Sequence, residues 1–404
     1  MTTTIAVIGG GQAGAILSQE LRNQGFTGEI SLICADTELP YERPPLSKGI
    51  LLGQEVVPVL PAHFYSENGI DVRLGARAMR VERRESRIAI HLEAGGEIVA
   101  DSVVLTTGSR PRRIDFPGCD LENVLTLGDL ADARTIYSQV PTSKRVVIAG
   151  AGFIGTEVAA SLRSHGCEVT LVEPFAEPLA NKLGSWAAGV IRELHETKGV
   201  AFVQDVVAQA VGTTKIEDVI TASGQSIPCD LLLVAAGSQP NLEVATASGI
   251  DCSDGVVCDA FGRSSMDGVW AAGDVASWPF GILGRLRVEH FRTAIDEAQV
   301  VARAIMGDET PSVLVPWFWT DQYDHRIEVA GRPDQGSHVI ERTGPNGDTK
   351  ISVHLRGGQV VGAIGVDAPR EIRTATNLIR SGDPVDPLLI EDSSIDLRKV
   401  AVST

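Results

Sequence analysis

Residues 5–14 read IAVIGGGQAG, and the rest of the chain is organised around this stretch. An apolar run at 5–8 enters Gly9-x-Gly11-x-x-Gly14, after which Ile16, Leu17 and Leu21 fall on one face of a helix. Strand, glycine turn and helix are the context that gives a GxGxxG pattern meaning. Gly9 permits the tight turn, Gly11 lets backbone approach a pyrophosphate, and Gly14 lets the helix pack close on the strand. The helix N-terminus then offers free N–H groups to phosphate oxygens. A second apolar run, 30–33, ends near Asp36, about where an acid meets a ribose hydroxyl. The pattern recurs. Residues 145–155, RVVIAGAGFIG, place Gly150-x-Gly152-x-x-Gly155 after a strand run; a helix follows to Gly166, and EVTLVEP ends a further strand at Glu173. Two complete fingerprints predict two dinucleotide sites and therefore two cofactors.

Composition bounds the rest. A length of 404 residues allows two to three domains. With 43% hydrophobic and 22% charged residues the chain is of the ordinary globular kind. No apolar run reaches the roughly 20 residues of a membrane span. The first strand begins by residue 5, with no basic segment or apolar leader before it, so a cytoplasmic location is expected. A net charge of −17 disfavours nucleic acid and anionic membrane as partners. The six cysteines (34, 119, 167, 229, 252 and 258) include no CxxC or CxxxxC pair. They read as buried small hydrophobes, and no metal site is spelled out.

Between the fingerprints, residues 69–101 alternate apolar and polar with turns at Gly75 and Gly95-Gly96, which reads as a β-meander. The buried run 103–105 then leads into Thr106-Thr107-Gly108-Ser109-Arg110-Pro111. The second half repeats the plan: residues 201–230 alternate, and LLLVAAGSQP at 231–240 echoes VVLTTGSRP. Next come Ala271-Ala272-Gly273-Asp274 and a helical pattern at 288–307. From about Pro311 the texture changes to aromatic-rich strands, with hairpin turns near Asn346-Gly347 and Gly357-Gly358, and a helix around 368–381. This is a third, smaller α+β domain.

The two fingerprints, the Gly-Ser-x-Pro returns and the Gly-Asp motif together resemble the flavoprotein reductases with two dinucleotide domains. YERPPLSKG (41–49) and PWFWTDQYD (316–324) narrow the resemblance to NADH-dependent ferredoxin reductases of bacterial oxygenase systems, over essentially the whole chain. The fold this implies is α/β, glutathione-reductase-like, with two Rossmann-like dinucleotide-binding domains and a C-terminal α+β domain. Its implied division is FAD binding on 1–111 and 241–313, NADH binding on 112–240, and a C-terminal domain on 314–404.

The resemblance also implies roles. Gly9, Gly11, Ala13, Gly14, Asp36, Arg43, Lys48, Val81, Arg134, Asp274 and Val288 would serve FAD. Gly150, Gly152, Ile154, Gly155, Glu173 and Gly237 would serve NADH. Phe291 stands where the family often carries tryptophan. Lys48, in a loop stiffened by Pro44 and Pro45, is the expected cation beside the flavin, the alternative being a solvated surface lysine. Glu157, in the first turn of the second fingerprint's helix, reads from spacing as an acid complementing the helix dipole, worth ~0.3–1 kcal/mol. The resemblance makes it an acid facing the nicotinamide and paired with Lys48. Glu173 would accept from the ribose hydroxyls of NADH and repel a 2′-phosphate. Trp317 and Trp319 suit a domain core, and the resemblance places Trp319 on the electron-exit side. The histidines read as structural or surface residues.

No cysteine stands where disulfide reductases of this fold carry theirs, so electrons are expected to pass directly to an outside acceptor. The acceptor implied is an iron–sulfur ferredoxin of the [2Fe–2S] type, feeding a cytochrome P450 or a ring-hydroxylating oxygenase. Other enzymes of the same fold (NADH oxidases, rubredoxin- or nitrite-type reductases) and redox sensors resembling apoptosis-inducing factor are the alternatives. Two arginine groups are candidate docking patches for an acidic ferredoxin: 285, 287, 292 and 303, and 77, 80, 83, 84 and 87.

Overall fold

The strand Thr4–Ile8 lies at the centre of a five-stranded parallel sheet in the computed structural model, which describes residues 3–343 and 350–402. Glu29–Ile33 and Ser102–Leu105 flank it, and Ile70–Arg73 and Val269–Ala271 form the edges. Its near-continuous apolar strands follow from burial on both faces: Ile5, Val7, Leu32, Val103 and Val104 are all buried. Helices Gln12–Asn23 and Phe291–Ile305 pack on each other through small and branched side chains, with Leu17, Ala298 and Val301 at zero exposure. The register carries the site. Ile8 aligns with both Ile33 and Leu105, so Gly9 and Thr106 leave the sheet side by side. This unit comprises residues up to Arg43, Val56–Arg110 and Pro240–Trp317.

The second unit comprises Pro44–Glu55, Pro111–Gln239 and Phe318 onward. Its own parallel sheet runs Ala201–Gln204, Glu168–Glu173, Arg145–Ala149, Leu231–Val234, Val124–Leu125. Ala149 aligns with Val172 and Val234, repeating the first unit's register. An antiparallel sheet in the order Trp317–Gln322, His325–Gly331, Gln359–Val366, Lys350–Arg356, His338–Thr343 follows, with helix Pro369–Ser381 packed on it. Gly357 and Gly358, both at positive φ, make the tight turn expected there, while the turn expected near Asn346-Gly347 lies outside the described residues.

Several elements differ from the sequence reading. Ile70–Arg73 and Ala201–Gln204 extend the two parallel sheets, so each meander begins later, at Ala78–Arg84 and at Val207–Gly212. A half-buried parallel edge strand alternates just as a meander strand does, so periodicity alone does not separate them. The helix expected from 288 begins at Phe291, because its N-cap His290 is still extended after strand Arg285–Arg287. Helix Ala180–Thr197 had no assignment in the sequence reading; it buries Leu183, Ala187 and Ile191 against Ile327, Val329 and Ile364. Pro44–Glu55 groups with the second unit although it falls within the span 1–111 expected for FAD. Among the described residues no helix is long and apolar enough to cross a membrane.

Candidate active site

Both fingerprints form the same cradle. A Cβ on Gly9 would stand 2.1 Å from the Thr106 carbonyl oxygen, and one on Gly150 would stand 2.5 Å from that of Ala235. Both glycines have positive φ. A Cβ on Gly14 would meet Gly9 O at 2.1 Å, and one on Gly155 would meet Gly150 O at 2.0 Å, which is how closely each helix sits on its turn. Gly11 and Gly152 have nothing within 4 Å of such a Cβ. Each is the N-cap of a helix with no side-chain cap and no acid in its first turn; Glu157, expected in that turn from spacing, stands in the second because the helix starts at Phe153. By contrast, helix Leu130–Gln139 is capped by the Asp129 carboxylate. Uncapped N–H groups beside open space fit a phosphate-bearing ligand.

In the first unit, Ala13 is buried, and its Cβ would lie 3.0 Å from a Cβ placed on Gly273. Asp274 follows Gly273. Its carboxylate accepts from Ser109 Oγ at 3.0 Å, and burial pushes its pKa up to about 6, with Glu289 adding to the shift and Arg43 and Arg287 opposing it. Behind the turn, Glu297 Oε2 accepts from the Gly273 N–H at 2.7 Å, while Oε1 is buried without a hydrogen-bond partner. The hydroxyl-bearing ribityl chain of FAD suits the Asp274 carboxylate as acceptor, and its phosphates suit the uncapped helix N–H groups, so the residues present fit FAD. Asp36 sits beyond strand Glu29–Ile33, accepting from the Glu38 N–H and the Tyr41 hydroxyl. Val81 donates its N–H to Ser248 Oγ at 2.8 Å, and Val288 is buried just ahead of Phe291.

In the second unit, Glu157 lies buried in helix Phe153–Ser164 and accepts three hydrogen bonds. Oε2 takes Lys48 Nζ at 2.7 Å and Ser47 Oγ at 2.5 Å, and Oε1 takes Thr320 Oγ1 at 2.7 Å. All the hydrogen-bonding partners of this carboxylate are donors, and no acid stands among them. The 3₁₀ turn Pro44–Ser47 presents Lys48, and Ser161 Oγ holds that turn by donating to the Ser47 carbonyl at 2.7 Å. Trp319 is fixed from two sides: its indole N–H donates to Asp321 at 3.0 Å, and the Arg326 guanidinium lies 4.9 Å from the ring centroid. Glu173 ends its strand and accepts from the Ala151 N–H at 2.7 Å, at the mouth of the second glycine turn. Ile154 is exposed on the first turn of the same helix, Gly237 has positive φ after strand Leu231–Val234, and Arg134 is exposed on helix Leu130–Gln139. NADH fits this cradle by the same test: an uncapped helix start beside an acid at the adjacent strand end.

Most arginines of the two docking patches read from sequence pair with acids, while Arg285 and Arg303 donate to neutral oxygens. Arg285 donates to the Cys258 and Ser277 carbonyls, and Arg287, only 10% exposed, pairs with Asp254 and Glu289. Arg292 pairs with Asp296, and Arg303 donates to Ser312. In the other group each arginine pairs with an acid: Arg77 with Glu93, Arg80 with Glu82, Arg84 with Glu82 and Glu97, Arg83 with Asp267, Arg87 with Asp101. Conversely, the sequence reading missed Ser47, Ser109, Glu297 and Thr320. Only the positions of Ser47 beside Lys48 and of Thr320 beside Trp319 could have signalled any of them.

Comparison with known proteins agrees in extent with this geometry. The family model described as pyridine nucleotide-disulphide oxidoreductase matches residues 3–298, and one described as reductase C-terminal matches residues 317–401. The chain is similar to the ferredoxin reductase component of chlorobenzene dioxygenase of Cupriavidus sp. (strain PS12), 36% identical over 405 residues, covering 98% of this chain and 97% of that one. It is 34% identical to the ferredoxin–NAD(+) reductase component of the biphenyl dioxygenase system of Paraburkholderia xenovorans (strain LB400), covering 98% of each. Among solved structures, the ferredoxin reductase for the CYP199A2 system of Rhodopseudomonas palustris superposes with a TM-score of 0.93 at 29% identity, over 99% of this chain and 100% of that one.

Proposed function

The chain belongs to the pyridine nucleotide-disulphide oxidoreductase family, and on that premise we propose that it is an FAD-containing NADH:ferredoxin reductase serving a ring-hydroxylating dioxygenase or a cytochrome P450. FAD, when bound, accepts the two electrons of a hydride from NADH and releases them singly to an iron–sulfur acceptor. The Gly9–Gly14 cradle and Asp274 hold its pyrophosphate and ribityl parts, Asp36 its ribose, and Ala13, Arg43, Val81, Arg134 and Val288 its remaining edges. Gly150, Gly152, Ile154, Gly155 and Gly237 receive NADH. Glu173 accepts from its ribose hydroxyls and disfavours a 2′-phosphate by like charge. Lys48 supplies positive charge where the hydride arrives, and Glu157 holds that ammonium in place. Trp319, immobilised by Asp321 and Arg326, lies on the route to the ferredoxin. We divide the cofactors as FAD on 1–111 and 241–313 and NADH on 112–240, with 314–404 as the third domain.

The thiols support direct transfer to an outside carrier. All six cysteines are free, and burial pushes Cys34 and Cys229 up to about 12, so neither offers a thiolate for a dithiol relay. Free thiols and use of NADH support a cytoplasmic location. The observation that carries the reading is the second cradle, matched strand for strand to the first and closed by Glu173. The experiment is a titration of the purified yellow protein. One FAD per chain, bleached by NADH at far lower concentration than by NADPH, is the expected result; no flavin, or equal response to both nucleotides, would reject it.

A further inference from the structure

We infer that Thr320, Gln322, His195 and Tyr323 form a one-way hydrogen-bond relay that holds Glu157 as an ionised acceptor, making them positioning residues for the Lys48–Glu157 pair. The inference rests on the reductase reading above, and it deepens it.

The direction of every bond in the relay follows from one anchor. Thr156 Oγ1 donates its only proton to the helix carbonyls of Gly152 and Phe153, at 3.0 and 3.1 Å. It can therefore only accept from Gln322, whose Nε2 lies 2.9 Å away. That fixes the Gln322 amide. Its nitrogen faces Thr156 and also Thr320 Oγ1, at 2.9 Å, and its oxygen faces His195 Nε2, at 2.9 Å. His195 must then carry its proton on Nε2, so Nδ1 accepts from the Tyr323 hydroxyl at 3.2 Å. Thr320, accepting from Gln322, gives its own proton to Glu157 Oε1 at 2.7 Å. From Tyr323 through His195, Gln322 and Thr320, every donor points towards the carboxylate. Bonds aligned head to tail polarise one another in a low-dielectric interior, and their sum favours negative charge at the end of the chain.

The relay is built in. Thr156, His195, Thr320 and Gln322 have zero exposure, and each has its polar groups engaged. Burial lowers the His195 pKa, which keeps the ring neutral, as the relay requires. Tyr323 sits at φ 56, a left-handed conformation that a tyrosine rarely adopts, and its ring is held between His195 and Lys198 Nζ, 5.5 Å from the centroid. Strain of this kind persists only where surrounding contacts over-determine it. The other charged groups on elements packed around this helix turn are occupied elsewhere. Lys48 is on Oε2, Asp321 holds the Trp319 indole, and Glu173 holds the Ala151 N–H. Thr320 is thus the sole donor to Oε1 among the described residues.

The test uses the FAD-loaded protein. NADH-driven bleaching is followed by stopped flow against pH in the wild type and in Glu157→Gln, Thr320→Val and Thr320→Ser. Losing the Thr320 hydrogen bond should move the Glu157-dependent limb of the profile to higher pH in Thr320→Val. Thr320→Ser should restore it, which a merely structural defect would not do. A Thr320→Val profile superposing on the wild type would overturn the proposal. The second readout is independent of activity: ¹⁵N NMR of histidine-labelled protein, with the His195 signal assigned by its loss in His195→Gln. A neutral, Nε2-protonated ring, converted towards the other tautomer in Gln322→Leu, supports the relay; an Nδ1-protonated ring in the wild type refutes it. If NADH does not bleach the wild type at all, the reductase reading fails, and the tautomer still decides whether the relay exists.

Discussion

Replacing Glu297 by glutamine should make stability less sensitive to rising pH. Glu297 is 1% exposed, and burial holds its carboxyl well above the ordinary 4.5; Asp274 and Asp296 add to this, and the Gly273 N–H opposes it. An acid with a raised folded-state pKa binds more protons folded than unfolded between its two values. Its contribution to stability is complete below the unfolded pKa and is lost as pH rises through the folded one. The loss is about 1.4 kcal/mol for each pH unit in that window, and the variant does not suffer it. Glutamine still offers an oxygen to Gly273, but its amide nitrogen replaces an oxygen that has no partner, a penalty of about 1–3 kcal/mol that does not depend on pH. The difference in slope therefore isolates the ionisation. Asp274, itself at about 6, titrates in both proteins, and its coupling to Glu297 is part of the difference between the two curves. The assay is urea unfolding of the FAD-loaded protein, followed by tryptophan fluorescence from acid to neutral pH. Parallel curves for wild type and variant would refute the argument that Glu297 is held protonated.

Three further outcomes are expected. Gly152→Ala should fold normally, since its Cβ meets nothing within 4 Å, yet lose NADH affinity, whereas Gly155→Ala, 2.0 Å from the Gly150 carbonyl, should unfold at lower urea; nucleotide titration and unfolding curves separate the two. Glu173→Ala should lower kcat/KM for NADH by about 10- to 100-fold, as expected for hydrogen bonds to a charged group, and raise the NADPH-to-NADH ratio in steady-state assays. Trp319→Ala should slow ferredoxin reduction while leaving NADH-driven bleaching near the wild-type rate; equal slowing of both half-reactions would remove Trp319 from the exit route.

The cradles were legible because their requirements are local. Gly9, Gly14, Gly150 and Gly155 each avoid a carbonyl oxygen, and short apolar runs before them leave few choices of fold. Lys48 and Glu157 were legible only through a family resemblance, since spacing alone gives a solvated lysine and a helix-dipole acid. Their 2.7 Å ion pair comes from tertiary packing across more than a hundred residues of sequence. Thr320, Gln322 and His195 were not legible at all. A threonine and a glutamine two apart on a strand look like any half-exposed strand face, and their partners lie 163 and 127 residues away. The arginine patches misled for a related reason. Composition counts Arg285 and Arg287 as surface charge, while packing commits them to carbonyls and acids nearby.

The central claim is that electrons enter as hydride from NADH and leave singly to a ferredoxin. Anaerobic stopped flow tests it directly, mixing the yellow protein with NADH and then with a [2Fe–2S] ferredoxin. Fast bleaching followed by reoxidation by ferredoxin much faster than by oxygen is the result this account predicts. Fast bleaching with no response to ferredoxin, and rapid return of colour on admitting oxygen, would contradict it.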